Sequence, residues 1–230
     1  NCGSGRDGRD FVFDFFKVLY WKMMSLSEKT KKIQEILDQL FPDPAVPLVY
    51  RDTYTLLIAV LLSGRCTDAR VNQITPALFA AADTPEKMVQ LSVEEIQSLI
   101  RPCGLSPQKA RAIFALSQIL LERHQGWVPS TYLELEALPG VGHKTAAVVL
   151  SQGFGIPAFP VDTHIFRCAK RWGLSCGKTP SMIEKELQKL YPPSCWNRLH
   201  LQMIYFARQF CPARGHEATT CPICQWTQDF

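Results

Sequence analysis

The residues best equipped for chemistry lie in Leu138-Pro139-Gly140-Val141-Gly142-His143-Lys144 and, shortly after, in Val161-Asp162-Thr163-His164. Gly140 and Gly142 let the backbone turn tightly and approach another molecule closely. A helix starting there would offer unpaired N–H groups and a positive dipole end, a combination that suits a phosphate. Lys144 falls in that first turn, where the dipole disfavours a cation, so its amine is expected to give up its proton more readily. An unprotonated lysine amine is a nucleophile, and Asp162 adds a carboxylate. Phosphate grip, nucleophile and carboxylate together point to chemistry on a nucleic acid. Each residue also has a plain alternative: a turn, a solvated lysine, and an N-cap at Asp162 before Thr163-His164-Ile165-Phe166.

The elements that must position these groups read as helices. Ile33, Ile36, Leu37 and Leu40 form one stripe at helical spacing, and Ile113, Leu116, Ile119 and Leu120 another. Alternating strand patterns are absent and prolines fall between the periodic segments, which predicts an all-α chain. The apolar run Leu56 to Leu62 has the length of a buried helix rather than a membrane span. A faint internal echo sets Gly104-Leu105, with Ala110 six residues after the glycine, beside Gly140-Val141, with Ala146 at the same offset. Two such hairpins would hold a polymer at two points, the second more strongly because only it has a second glycine.

With 230 residues, 47% of them hydrophobic, the chain can bury one large core or two modest ones. Nine cysteines, odd in number and scattered, fit cytoplasmic thiols and metal ligands better than a secreted disulfide scaffold. The aromatic stretch Phe11 to Trp21 is broken by Asp14 and Lys17 and lacks the features of a signal peptide. Residues 1–23 are expected to lack order, with Met23 or Met24 the expected native start. The net charge is only +4, but Thr163 to Gly215 carries nine Lys or Arg against Glu184 and Glu186, so this segment holds +7 and the remainder −3. That basic segment fits a phosphate-facing surface, or simply solvated helix faces.

The hairpin string resembles the helix-hairpin-helix DNA glycosylase superfamily, and within it the endonuclease III family. Leu56 to Leu62, Ser63, Thr67-Asp68, Val71-Asn72, Gly104-Leu105, Lys109-Ala110, Glu136 to Gly142, Lys144-Thr145-Ala146 and Val161 to Arg167 follow in family order. The resemblance implies a two-domain all-α fold: a six-helix barrel over 45–156, and a second helical domain made of 24–44 and 157–230, with a cleft between them. It implies a monomeric base-excision repair enzyme, cytoplasmic or nucleoid-associated and without a membrane, that acts on damaged double-stranded DNA. Such an enzyme would remove oxidised pyrimidines and cleave the abasic site by β-elimination, with Lys144 as nucleophile and Asp162 as its carboxylate. Gly140, Val141, Gly142, His143 and Thr145 would grip the DNA backbone. Leu105 would be a wedge and Arg65, where the family usually has glutamine, would fill the gap beside the flipped base. Arg65 leaves open another lesion, such as an oxidised purine or a mismatched base. A non-catalytic DNA-binding module is the third reading, though phosphate binding alone requires neither Lys144 nor Asp162.

Family members hold a four-iron, four-sulfur cluster near the C-terminus, on four thiolates. Here Cys211, Cys221 and Cys224 stand at unusual spacing, and Phe230 occupies the place of the fourth cysteine. His216 or a distant cysteine such as Cys195 could complete a [4Fe-4S] site. Cys211, His216, Cys221 and Cys224 would also make a normal structural zinc set. A site without metal is the remaining alternative.

Overall fold

The computed structural model describes residues 19–227. All regular elements among them are helical, as the apolar periodicity predicts. The expectation of no order over 1–23 lies outside the described residues for 1–18. Residues 19–23 are helical, with Trp21 buried and the Lys29 amine 5.7 Å from its ring centre. A buried indole gives this short turn an anchor that the sequence pattern does not advertise. No helix among the described residues is long and apolar enough to cross a membrane. The chain divides into two compact units, Ala45–Pro160 and the segments up to Pro44 and from Val161 onward.

The Ala45–Pro160 unit is built around the helix Thr53–Ser63. Every residue from Tyr54 to Leu62 is buried, so this helix is apolar on all faces and belongs in a core. Each of its large aliphatic side chains contributes about 1.5–3 kcal/mol through removal from water. Asp52 starts the helix by accepting the Thr55 N–H, while the Thr55 hydroxyl answers through a reciprocal bond. Around it pack the helices Asp68–Ala81, Ser106–His124 and His143–Gly153. Gly153 lies so close to the central helix that a Cβ there would meet Leu56 at 3.1 Å and Thr53 at 3.2 Å. The expectation that prolines fall between helices fails at Pro76, which lies inside Asp68–Ala81.

In the other unit the helix Leu26–Leu40 opens with a capping box between Ser25 and Glu28 and buries Ile33 and Leu37. It packs against the helix Trp196–Gln209, where the fully buried Gln202 donates to Asp38 Oδ1 at 2.8 Å and to the Phe41 carbonyl at 2.9 Å. Trp196–Gln209 also packs on the helix Thr163–Arg171, and the Trp172 ring meets Phe206 edge-on at 5.3 Å. This packing fixes the helix that Asp162 begins.

Candidate active site and metal centre

The helical hairpin joins Tyr132–Glu136 to His143–Gly153. Its two glycines serve different ends. Gly140 has φ +78°, and a Cβ there would lie 2.9 Å from Ala112 Cβ and 3.0 Å from Leu61 Cδ1, so both backbone and space demand glycine. Gly142 is extended and would place a Cβ in open space, which leaves its surface free for approach from outside. Gly142 caps the helix without a side-chain acceptor, and the first helical bond runs from the Ala146 N–H to the Gly142 carbonyl at 2.9 Å. The N–H groups of His143, Lys144 and Thr145 precede that bond, as an anion site requires. Val141 is different: its side chain is buried and its N–H donates to the Leu138 carbonyl, so it shapes the turn from within. His143 stacks on Tyr132, ring centres 4.8 Å apart, with Nδ1 2.6 Å from Glu136 Oε1, which ties the two hairpin helices together. Lys144 is solvent-exposed beside it.

Two further loops of the same unit come together. Arg65, exposed with φ +55°, follows the central helix; Leu105, 46% exposed with φ +63°, precedes the helix Ser106–His124. A Cβ on Gly104 would sit 3.5 Å from the Arg65 carbonyl, so the loops touch. The buried Lys109 amine donates to the carbonyls of Leu62 and Gly64, both at 2.7 Å. Its charge satisfies the orphan carbonyls at the negative end of the central helix. Sequence reasoning assigned Lys109 no role, since its partners lie more than forty positions away.

Asp162 caps the helix Thr163–Arg171, its Oδ1 accepting the N–H groups of His164 at 2.9 Å and Ile165 at 2.8 Å. Both bonds use one carboxylate oxygen. The capping alternative therefore holds, and it is compatible with chemistry at the other oxygen.

Cys211, His216, Cys221 and Cys224 converge, with their ligand atoms all within 4.8 Å of one another. Nε2 of His216 is buried without a hydrogen-bond partner among the described residues, a cost that a ligated metal would remove. Hydrogen bonds from the thiols of Cys168, Cys221 and Cys224, and then from Arg171, hold Cys211 far below the ordinary thiol range against the effect of burial. The same hydrogen bonds push the Cys221 and Cys224 thiols up, so the three sulfurs ionise as one set rather than singly. Arg171 reaches Cys211 Sγ at 3.2 Å and the Pro212 carbonyl at 2.8 Å, while Arg167 donates to the Cys211 carbonyl at 2.9 Å. Buried donors of this kind fit a metal centre. The wholly buried Cys168, which sequence spacing gave no reason to single out, borders it.

Residues 58–193 match the model of the HhH-GPD superfamily of base excision DNA repair proteins. Endonuclease III of Treponema pallidum is 47% identical over 195 residues, covering 84% of this chain and 92% of that protein. A non-covalent endonuclease III–DNA complex superposes with TM-score 0.85 at 39% identity, covering 90% of this chain and 96% of the other. A trapped endonuclease III–DNA covalent intermediate gives TM-score 0.83 at 40% identity, covering 87% and 94%. The fold and the hairpin thus define a helix-hairpin-helix base-excision repair protein. Within that class the chain belongs to the endonuclease III family, and it is a DNA glycosylase and abasic-site lyase.

Proposed function

We propose that this enzyme removes oxidised pyrimidines from duplex DNA and cuts the resulting abasic site, with Lys144 as nucleophile and Asp162 as its carboxylate. The observation that supports this most is the exposed Lys144 beside three first-turn N–H groups and the open face of Gly142. Those N–H groups bind a phosphate next to the lesion and bring the sugar to the amine. A base inside a duplex is shielded, so the damaged nucleotide leaves the stack. Leu105 wedges into the space and Arg65 fills the gap and hydrogen-bonds the orphaned partner base. The unprotonated Lys144 Nζ attacks C1′ and the glycosidic bond breaks, its electron pair leaving with the base. Ionised Asp162 stabilises the positive charge developing on the sugar. The C1′–O4′ bond then breaks as O4′ takes up the proton lost by the amine, which opens the sugar and gives a Schiff base; removal of a C2′ proton expels the 3′ phosphate by β-elimination, and hydrolysis releases Lys144. One amine thus serves two easier steps. Borohydride trapping tests the scheme: an adduct on abasic and oxidised-pyrimidine duplexes, absent from intact DNA and from Lys144→Gln. An adduct with the variant at the wild-type rate would sink it. A wild-type adduct on the abasic duplex alone would move the search to another base.

Cys211, His216, Cys221 and Cys224 would hold the family's four-iron cluster, with His216 in place of the fourth thiolate. The group would order the loop that carries Arg214. A single zinc ion is the second reading, favoured by the 3.7 Å between the sulfurs of Cys211 and Cys224. Zinc–sulfur bonds of about 2.3 Å in a tetrahedron set two sulfurs roughly 3.8 Å apart, whereas a cubane spreads its thiolates over separate irons. Visible absorbance and iron content of the protein purified without air decide between them. A colourless protein with one zinc per chain would replace the cluster.

A further inference from the structure

We propose that Cys66 and Cys103 form an oxidisable dithiol, a modification site that takes up a peroxide's oxidising equivalents and bridges the two DNA-inserting loops. Cys66 directly follows Arg65, and Cys103 stands two residues before Leu105. Their sulfurs lie 3.4 Å apart, although the residues are 37 positions apart in the chain. The two thiols differ in access: Cys66 is partly exposed, while Cys103 is 3% exposed, with its sulfur 3.9 Å from the Leu62 carbonyl. Burial, and then the hydrogen bond it donates to Cys66, push the Cys103 thiol up to about 11, so it keeps its proton until it attacks the oxidised Cys66 sulfur. Cys66 lies in a bend between two helices, partly buried where the loop packs against the core. Lys109, by holding the carbonyls of Leu62 and Gly64, keeps the Cys66 loop against the helix that follows Cys103.

The chemistry balances with hydrogen peroxide as oxidant. The Cys66 thiolate attacks one peroxide oxygen and releases hydroxide, giving a sulfenic acid. The Cys103 sulfur then attacks the Cys66 sulfur; the S–S bond forms, and the sulfenic oxygen leaves as water with the Cys103 proton. Two thiols lose two electrons and two protons, and one peroxide becomes two waters. The bond would fix the separation between the loops that carry Arg65 and Leu105. Its effect on DNA rests on the insertion roles proposed above; formation of the bond does not.

Native protein treated with peroxide, alkylated and digested tests the bond. The expected result is one linked pair of peptides, Cys66 to Cys103, lighter by two hydrogens and separated again by dithiothreitol. Recovery of both cysteines alkylated, while other cysteines have reacted, overturns the proposal. Oxidised wild-type protein should bind an abasic duplex about tenfold more weakly than reduced protein, and Cys66→Ser treated identically should keep its affinity. Equal loss in Cys66→Ser would place the effect elsewhere, and a bond without any loss would remove its bearing on DNA. If the reduced enzyme forms no borohydride adduct, the catalytic reading fails while the peptide map still judges the dithiol.

Discussion

At the scale of single residues, the hairpin separates what a fold needs from what a ligand needs. Gly140 is filled in from within by Ala112 and Leu61, whereas Gly142 faces open space. Gly140→Ala should cost about 1–3 kcal/mol through backbone strain and overpacking. Gly142→Ala should cost less, about 0.5–1 kcal/mol as a poorer helix cap, yet weaken binding to an abasic duplex about tenfold. Thermal melts and fluorescence anisotropy on the two variants check this, and equal Tm losses would refute the division. Asp162 gives a second separation. Because asparagine caps a helix as well as aspartate does, Asp162→Asn should retain Tm while single-turnover base release falls about 10²-fold. Unchanged release would leave Asp162 a helix cap only. The sequence made both residues visible, since motif and cap are local. It could not say that Val141 turns inward, because that depends on what the barrel core places beneath it.

At the scale of elements, the central helix ends in a clasp. Lys109 reaches from the helix Ser106–His124 to the last carbonyls of Thr53–Ser63 and so fixes where Arg65 begins. Lys109→Met keeps much of the buried stem but leaves two carbonyls unpaired, at a cost of about 1–3 kcal/mol in chemical denaturation. Lesion processing should drop by more than that stability loss explains, since the loop it steadies is a proposed contact. A variant with wild-type unfolding would show the carbonyls satisfied by other means. The helices themselves were legible: Ile33 and Leu37, and Ile113, Leu116 and Leu120, are buried as their spacing predicts, whereas Leu40 of the first stripe is exposed at the helix end. The clasp was not, nor was the meeting of Cys66 with Cys103, because helical periodicity carries no information about which turns touch. Pro76 escaped for a related reason: a proline that breaks an isolated helix is tolerated where tertiary packing holds both sides.

At the scale of the molecule, charge and stability set the terms on which DNA is met. The +7 segment from Thr163 to Gly215 includes the exposed Arg214 next to the metal-site loop. If Arg214 touches a phosphate, Arg214→Ala should flatten the plot of log affinity against log salt by about one unit. An unchanged slope would make it a solvated charge. The left-handed backbone at Arg65 and Leu105 has a different consequence. Each non-glycine residue held there costs about 1 kcal/mol or more, and nothing in the fold requires arginine or an exposed leucine at those points. Selection for heat resistance alone would therefore drift both positions toward glycine. The same drift would erase the two side chains proposed to enter the duplex, so thermal robustness and repair competence pull these two codons in opposite directions.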